Sequence, residues 1–194
     1  MVDTKEKLAQ AFIELTSELP YMKITVQKIA EKAGMNRQNY YYHFKDKQEL
    51  ASWIYEETSI HFLRKQDITL ENWEEQVLKF LQGVKSCEGF YYESVNDSPD
   101  LLKNNFLPAA QGQFYQLFTS MDTDEILTHQ DKEFYAQFFS YGCYGLLIHW
   151  IHSRFEDTPL EIAMRLYRLA KDTEWYSYRL LKNDMEYGDF EDLH

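Results

Sequence analysis

A chain of 194 residues with 44% hydrophobic content can close a core as one large domain or two small ones. No run approaches 18 apolar residues and MVDTKEKLAQ lacks the apolar stretch of a secretion signal, so a cytoplasmic protein without membrane contact is expected. Two distant cysteines, Cys87 and Cys143, argue against a disulfide framework, and a net charge of -12 argues against nucleic acid unless the charge is unevenly spread.

Leu8, Phe12, Leu15 and Leu19 recur at helical spacing, so Lys5 to Glu18 reads as an amphipathic helix stopped by Pro20. Thr25 is a good N-cap for a second helix, with Val26, Ile29, Ala30 and Ala33 on one face and Gly34 as its C-terminal stop. Only Met35 and Asn36 precede a third helix, Arg37 to about Phe44, and Asn36 is itself a favoured N-cap. Two helices joined by so tight a glycine turn form a helix-turn-helix, whose second helix enters the major groove. The charge agrees: Lys23 to Lys47 holds six basic and two acidic residues, a balance of +4, whereas residues 51 onward hold 12 and 25, a balance of -13.

Asp46 and Glu49 form a capping-box variant that opens a fourth helix running to about Lys65, with Leu50, Trp53, Ile54 and Ile60 as its apolar face. After a break at Asp67 to Thr69, a fifth helix carries Trp73, Val77, Phe80, Leu81 and Val84. Gly89 and Pro99 make Cys87 to Asp100 read as irregular, and helical patterns resume over Leu101 to Phe118 and Asp131 to about Phe155. Thr158-Pro159-Leu160-Glu161 combines N-cap, proline at the first helical position and capping-box Glu, opening a last helix to about Lys182. The acidic tail NDMEYGDFEDLH is expected to fray. The fold expected is all-α, with about nine helices and no strand.

The residues ITVQKIAEKAGMNRQNYYYHFKDKQEL, Ile24 to Leu50, resemble the DNA-binding module of TetR-type transcriptional regulators. The spacing Ile29-Ala30, Gly34, Tyr41, His43-Phe44, Lys47 and Leu50 carries the likeness, over roughly residues 5 to 55. SWIYEET at 52 to 58 and the aromatic stretch at 90 to 92 resemble the subgroup containing the dihydroxyacetone kinase operon regulator and a zinc-responsive regulator. The resemblance implies a helix-turn-helix domain at residues 1–48 and a helical ligand-binding and dimerisation domain at 49–194. It further implies a homodimer on a palindromic double-stranded DNA operator, answering an unknown small-molecule or protein effector, with no cofactor. A ligand-responsive repressor is the leading expectation, and an activator working with a co-activator, or a zinc-responsive regulator, the alternative.

Within this frame Asn36, Arg37, Gln38 and Asn39 are the sequence readers, since Arg can address guanine and Asn or Gln adenine with paired hydrogen bonds. Tyr41, Tyr42, His43 and Lys47 are expected to hold phosphates, and the family pattern brings Thr25 and Gln27 close to DNA. Tyr40 and Phe44, four apart, are expected in the core. Where the family commonly has Thr and Leu this chain has Asn39 and Tyr40, so base preference is not carried over.

In the second domain, Gly142 and Gly145 permit close approach of a partner helix, and Ile162, Leu166, Leu169, Ala170, Thr173 and Tyr176 form a packing stripe. Phe90, Tyr91, Phe114, Phe138 and Tyr141 are the candidates to line a ligand cavity. No metal site is expected. Cys143, His149 and His152 are the nearest to one, yet six residues of helix turn Cys143 about 120 degrees from His149. No nucleophile-base spacing around Cys87 or Cys143 points to an enzyme.

Overall fold

In a computed structural model of the chain, residues 3–64 and 72–186 are described, with side chains to residue 172. Every regular element among them is helical: α1 (Thr4–Glu18), a 3-10 turn (Tyr21–Lys23), α2 (Val26–Lys32), α3 (Arg37–Tyr41), α4 (Lys47–Tyr55), a π-turn (Glu56–Ile60), α5 (His61–Leu63), α6 (Trp73–Ser86), α7 (Glu88–Asp97), α8 (Pro99–Met121), α9 (His129–His152) and α10 (Pro159–Glu186). With α4, the π-turn and α5 taken as one rod, the described residues form nine helices, as expected. The last helix runs four residues past its expected end near Lys182, to Glu186, so the start of the acidic tail is helical; the expected break at 67 to 69 and the tail beyond Glu186 lie outside the described residues.

Caps account for several helix boundaries. The hydroxyl of Thr25 accepts the Lys28 N–H at 3.3 Å, Asn36 accepts that of Asn39 at 2.8 Å and Asp46 that of Glu49 at 2.8 Å. Thr128 with Asp131 and Thr158 with Glu161 do the same for α9 and α10, each pair bonding in both directions.

Two departures from the sequence reading shape the core. Cys87 to Asp100 is mostly helix, not irregular: α7 buries Phe90, Tyr91, Ser94 and Val95, and that burial outweighs the helix cost of about 1 kcal/mol at Gly89. The fourth helix is also not uniform, because its register slips at the π-turn. There the Thr58 hydroxyl donates to Ile54 O at 2.7 Å and the Ser59 hydroxyl to Tyr55 O at 3.2 Å, so side chains occupy carbonyls of the preceding turn. The slip presses the Thr58 carbonyl against α6 at Gly83, where a Cβ would sit 1.8 Å from that oxygen. Only glycine fits this crossing.

A chain of buried rings ties the first three helices to the rest. Phe12 of α1 lies 5.6 Å from Tyr21 and 5.3 Å from Phe90 of α7, and Tyr55 of α4 lies 5.4 Å from Phe90 and 5.1 Å from Tyr91. Their hydroxyls are mostly satisfied inside the core: Tyr55 donates to Ser94 at 2.6 Å, and Tyr91 meets Ser59 at 2.7 Å and Thr58 at 3.0 Å. Burial pushes both phenols well above their ordinary range, so they stay neutral. Beyond α7, α8 and α9 pack along one another and α10 lies against α6.

Candidate nucleic-acid interface and effector cavity

The turn between α2 and α3 is built by backbone hydrogen bonds. Gly34, at φ 70°, donates to Glu31 O at 3.0 Å and Met35 to Ala30 O at 2.8 Å, the pair that closes a helix on a left-handed glycine. Asn36 then caps α3 two residues later, so α3 leaves at a fixed angle. α3 ends at Tyr41, shorter than the expected run to Phe44, since Tyr42 and His43 form a turn that returns the chain to the core. Tyr40 and Phe44 are buried, and the Tyr40 hydroxyl donates to Asp46 O at 2.9 Å. This anchor leaves the opposite face of α3 to solvent.

Asn36, Arg37, Gln38 and Asn39 are all exposed on that face. Tyr41 and Tyr42 are 46% and 74% exposed, unusual for tyrosine, and each hydroxyl is held by the residue four positions earlier. Arg37 donates through Nε at 3.3 Å and a terminal nitrogen at 3.0 Å to the Tyr41 hydroxyl, and its guanidinium lies 5.4 Å from the Tyr41 ring. Gln38 donates to the Tyr42 hydroxyl at 3.4 Å. Two parallel side-chain pairs, Arg37 with Tyr41 and Gln38 with Tyr42, thus stand side by side, each worth only a few tenths of a kcal/mol in water.

Thr25 and Gln27 are exposed at the start of α2, with Gln27 bonded to Glu31, and His43 is half-buried beside α3. Lys47 is more constrained than its motif position suggests. Its ammonium group donates to Tyr21 O at 2.8 Å and sits 4.0 Å above the Tyr21 ring, and burial lowers its pKa while the Asp97 carboxylate opposes that shift. Asp46 and Glu49 stand at the same helix end. One of the six local cations, Lys32, pairs with Glu18 at 2.7 Å and Glu14 at 3.6 Å of α1. No local spacing signals the Tyr21–Lys47 or Lys32–Glu18 contact, because each joins elements brought together only by folding.

A cavity of about 130 Å³ lies between α6, α8, α9 and α10, its walls including Phe80, Phe106, Phe114, Leu147, Trp150 and Leu166. Of the five aromatic residues expected to line a cavity, Phe114 does. Phe90 and Tyr91 are instead the fully buried rings that join α1, α4 and α7. Phe138 and Tyr141 face outward at 67% and 45% exposure. Aromatic content alone does not distinguish core, cavity and surface on α9, whose apolar residues run around most of its circumference. Sequence reasoning missed Gln76, a buried amide on the cavity wall whose Oε1 has no hydrogen-bond partner.

Phe134, Phe138, Tyr141 and Leu146 of α9 and Leu160, Met164 and Leu169 of α10 expose large apolar side chains. Gly142 and Gly145 lie on the α9 surface with open space beside them. Cys143 faces the cavity, and burial pushes its thiol up to about 11, whereas His149 and His152 are exposed. The three therefore do not converge on one ion, and no group of three or more metal-ligating side chains occurs among the described residues. Nor is any helix among them long and apolar enough to cross a membrane.

A family model described as "Bacterial regulatory proteins, tetR family" matches residues 5–52, and one described as "Transcriptional regulator C-terminal region" matches residues 71–172. The chain belongs to the TetR family of DNA-binding transcriptional regulators. Among its relatives, the HTH-type dhaKLM operon transcriptional activator DhaS of Lactococcus lactis subsp. lactis (strain IL1403) is 28% identical over 88 residues. That alignment covers 45% of this chain and 46% of the relative, about half of each. The structure of a dihydroxyacetone kinase operon activator DhaS superposes with a TM-score of 0.69 at 19% identity, over 89% of this chain and 97% of that one. Thermus thermophilus FadR, a TetR-family transcriptional repressor solved with lauroyl-CoA, gives 0.53 at 15% identity, over 85% and 92%. Both structures share the fold with this TetR-family regulator.

Proposed function

We propose that this regulator acts as a homodimer on a roughly palindromic DNA operator, with α3 in the major groove and an effector in the C-terminal helices controlling release. The observation that carries the reading is the exposed face of α3, where Arg37 and Gln38 stand paired with Tyr41 and Tyr42 on a buried Tyr40 anchor. Asn36, Arg37, Gln38 and Asn39 read bases. Tyr41, Tyr42 and His43 hold backbone phosphates, with Thr25 and Gln27 at the groove edge. Lys47 reaches phosphate with the N–H bonds that Tyr21 leaves unused, and its tether fixes where that charge stands.

The module spans residues 1–48 and the effector and dimerisation part 49–194, in a cytoplasmic, non-catalytic protein. The apolar surface of α9 and α10 supports a two-fold partner, which sets two α3 helices about one DNA turn, ~34 Å, apart. Repression relieved by a ligand is the sign we propose. Activation is the second reading, favoured by the printed description of DhaS as an activator.

Salt-dependent binding to operator and random duplexes tests the assignment. Lys47→Ala should weaken binding to every sequence and reduce the salt slope by about one. Tyr42→Ala should weaken all sequences with the slope unchanged, since it carries no charge. Arg37→Ala should relax sequence preference. Equal binding by wild type and all three variants would sink the reading.

A further inference from the structure

The cavity between α6, α8, α9 and α10 constrains its ligand in three independent ways. Its volume of about 130 Å³ is close to the ~150 Å³ apolar cavity size known to stay dry and accept benzene. Its lining residues include no acidic or basic side chain, and the Cys143 thiol is kept protonated by burial. An ionised ligand group would be desolvated there without a counter-charge. The third constraint is Gln76, only 8% exposed, whose Oε1 has no hydrogen-bond partner. A buried carbonyl left in that state is destabilising, and a ligand donor would relieve it. Gln76 is among the residues that line the cavity, and its terminal amide torsion is broad and two-fold, so the amide can turn to meet a ligand donor there.

We infer that the cavity binds a small, neutral, largely apolar molecule of about benzene size carrying one hydroxyl donor, which is received by Gln76. The inference rests on the proposed effector role of the C-terminal helices and gives that role a ligand chemistry. Gln76 lies on α6, the helix that presents Gly83 to the Thr58 carbonyl of the π-turn. The same rod begins at Lys47 beside the DNA-reading turn. A ligand that orders α6 therefore acts on the element that positions α3.

Phenol, benzene and benzoate discriminate the requirements at neutral pH, by calorimetric titration and thermal melting of the full-length chain. Phenol should bind and raise the melting temperature. Benzene should bind about threefold to tenfold more weakly, the worth of one net hydrogen bond, and benzoate should give no shift. In Gln76→Leu, which removes the orphan carbonyl at similar volume, phenol should fall to the level of benzene while benzene binding persists and reports an intact fold. Equal affinity of wild type for phenol and benzene, binding of benzoate, or no binding at millimolar phenol would each overturn the inference. Duplex binding by the same samples separates the two proposals. Phenol binding without DNA binding defeats the regulatory mechanism and leaves the ligand chemistry standing. DNA binding without phenol binding does the reverse.

Discussion

The proposed reading end and the proposed sensing end of this molecule expose apolar and aromatic surface for opposite reasons. At the C-terminal end of α3, Tyr41 and Tyr42 are exposed but their hydroxyls are paired with Arg37 and Gln38, and the turn before the helix is closed by short-range hydrogen bonds. On α9 and α10, Phe134, Phe138, Leu146, Leu160 and Met164 are exposed without any polar group of their own to offer. The first surface is complete within one chain and suits a hydrated polyanion. The second is of the kind that water disfavours and a second apolar face would cover. The proposed reading of a two-fold DNA site by two copies of the chain would use both.

The largest expected effect lies where the two ends are joined. Gly83→Ala places a methyl group 1.8 Å from the Thr58 carbonyl, so α6 and the π-turn must separate. The variant should lose about 3 kcal/mol or more of stability, a melting temperature lower by roughly 6–12 °C for a chain of this size. Unchanged or raised stability, the usual result of Gly→Ala in a helix, would show that the ends are not locked at this crossing.

On the sensing side, Phe138→Glu should weaken self-association by about 30-fold or more, the range of an interface anchor. Sedimentation equilibrium measures it, and circular dichroism should remain that of the wild type because Phe138 lies outside the core. On the reading side, Arg37→Ala should cost about 1–3 kcal/mol on the preferred site and much less on random DNA. Asn36→Ala, which removes the α3 cap, should cost about 1 kcal/mol of stability in a denaturant titration.

The smallest effect tests the cavity wall. Burial raises the Cys143 thiol from 9.0 to about 11, so the folded chain keeps a proton that the unfolded chain releases first. Its stabilising contribution is therefore complete below about pH 9 and lost as pH rises to about 11. At pH 8, alkylation of native protein followed by peptide mapping should modify Cys143 far more slowly than unfolded chain.

The same contrast decided what could be read from sequence. The N-terminal module was legible because its determinants are local: Thr25, Asn36 and Asp46 cap helices a few residues away, and Gly34 supplies the one left-handed residue of the turn. In the C-terminal part the determinants join distant segments. Gly89 suggested a break, yet Tyr91 reaches Ser59 and Thr58 across more than thirty residues and draws α7 into the centre. Phe90 and Tyr91 in the core, Phe114 on the cavity wall and Phe138 on the surface have similar hydropathy, and only packing sorts them. The π-turn that demands glycine at position 83 is likewise visible only once α4 and α6 are set against each other.

Selection of bound sites from random double-stranded DNA by the chain distinguishes a dimer on a palindromic operator from any other mode of binding. A homodimer with α3 in the major groove should enrich inverted repeats with half-site centres about one helical turn, ~34 Å, apart, and Arg37→Ala should lose base preference within each half-site. Enrichment of single, non-repeated sites, or of none, would contradict that mode of binding.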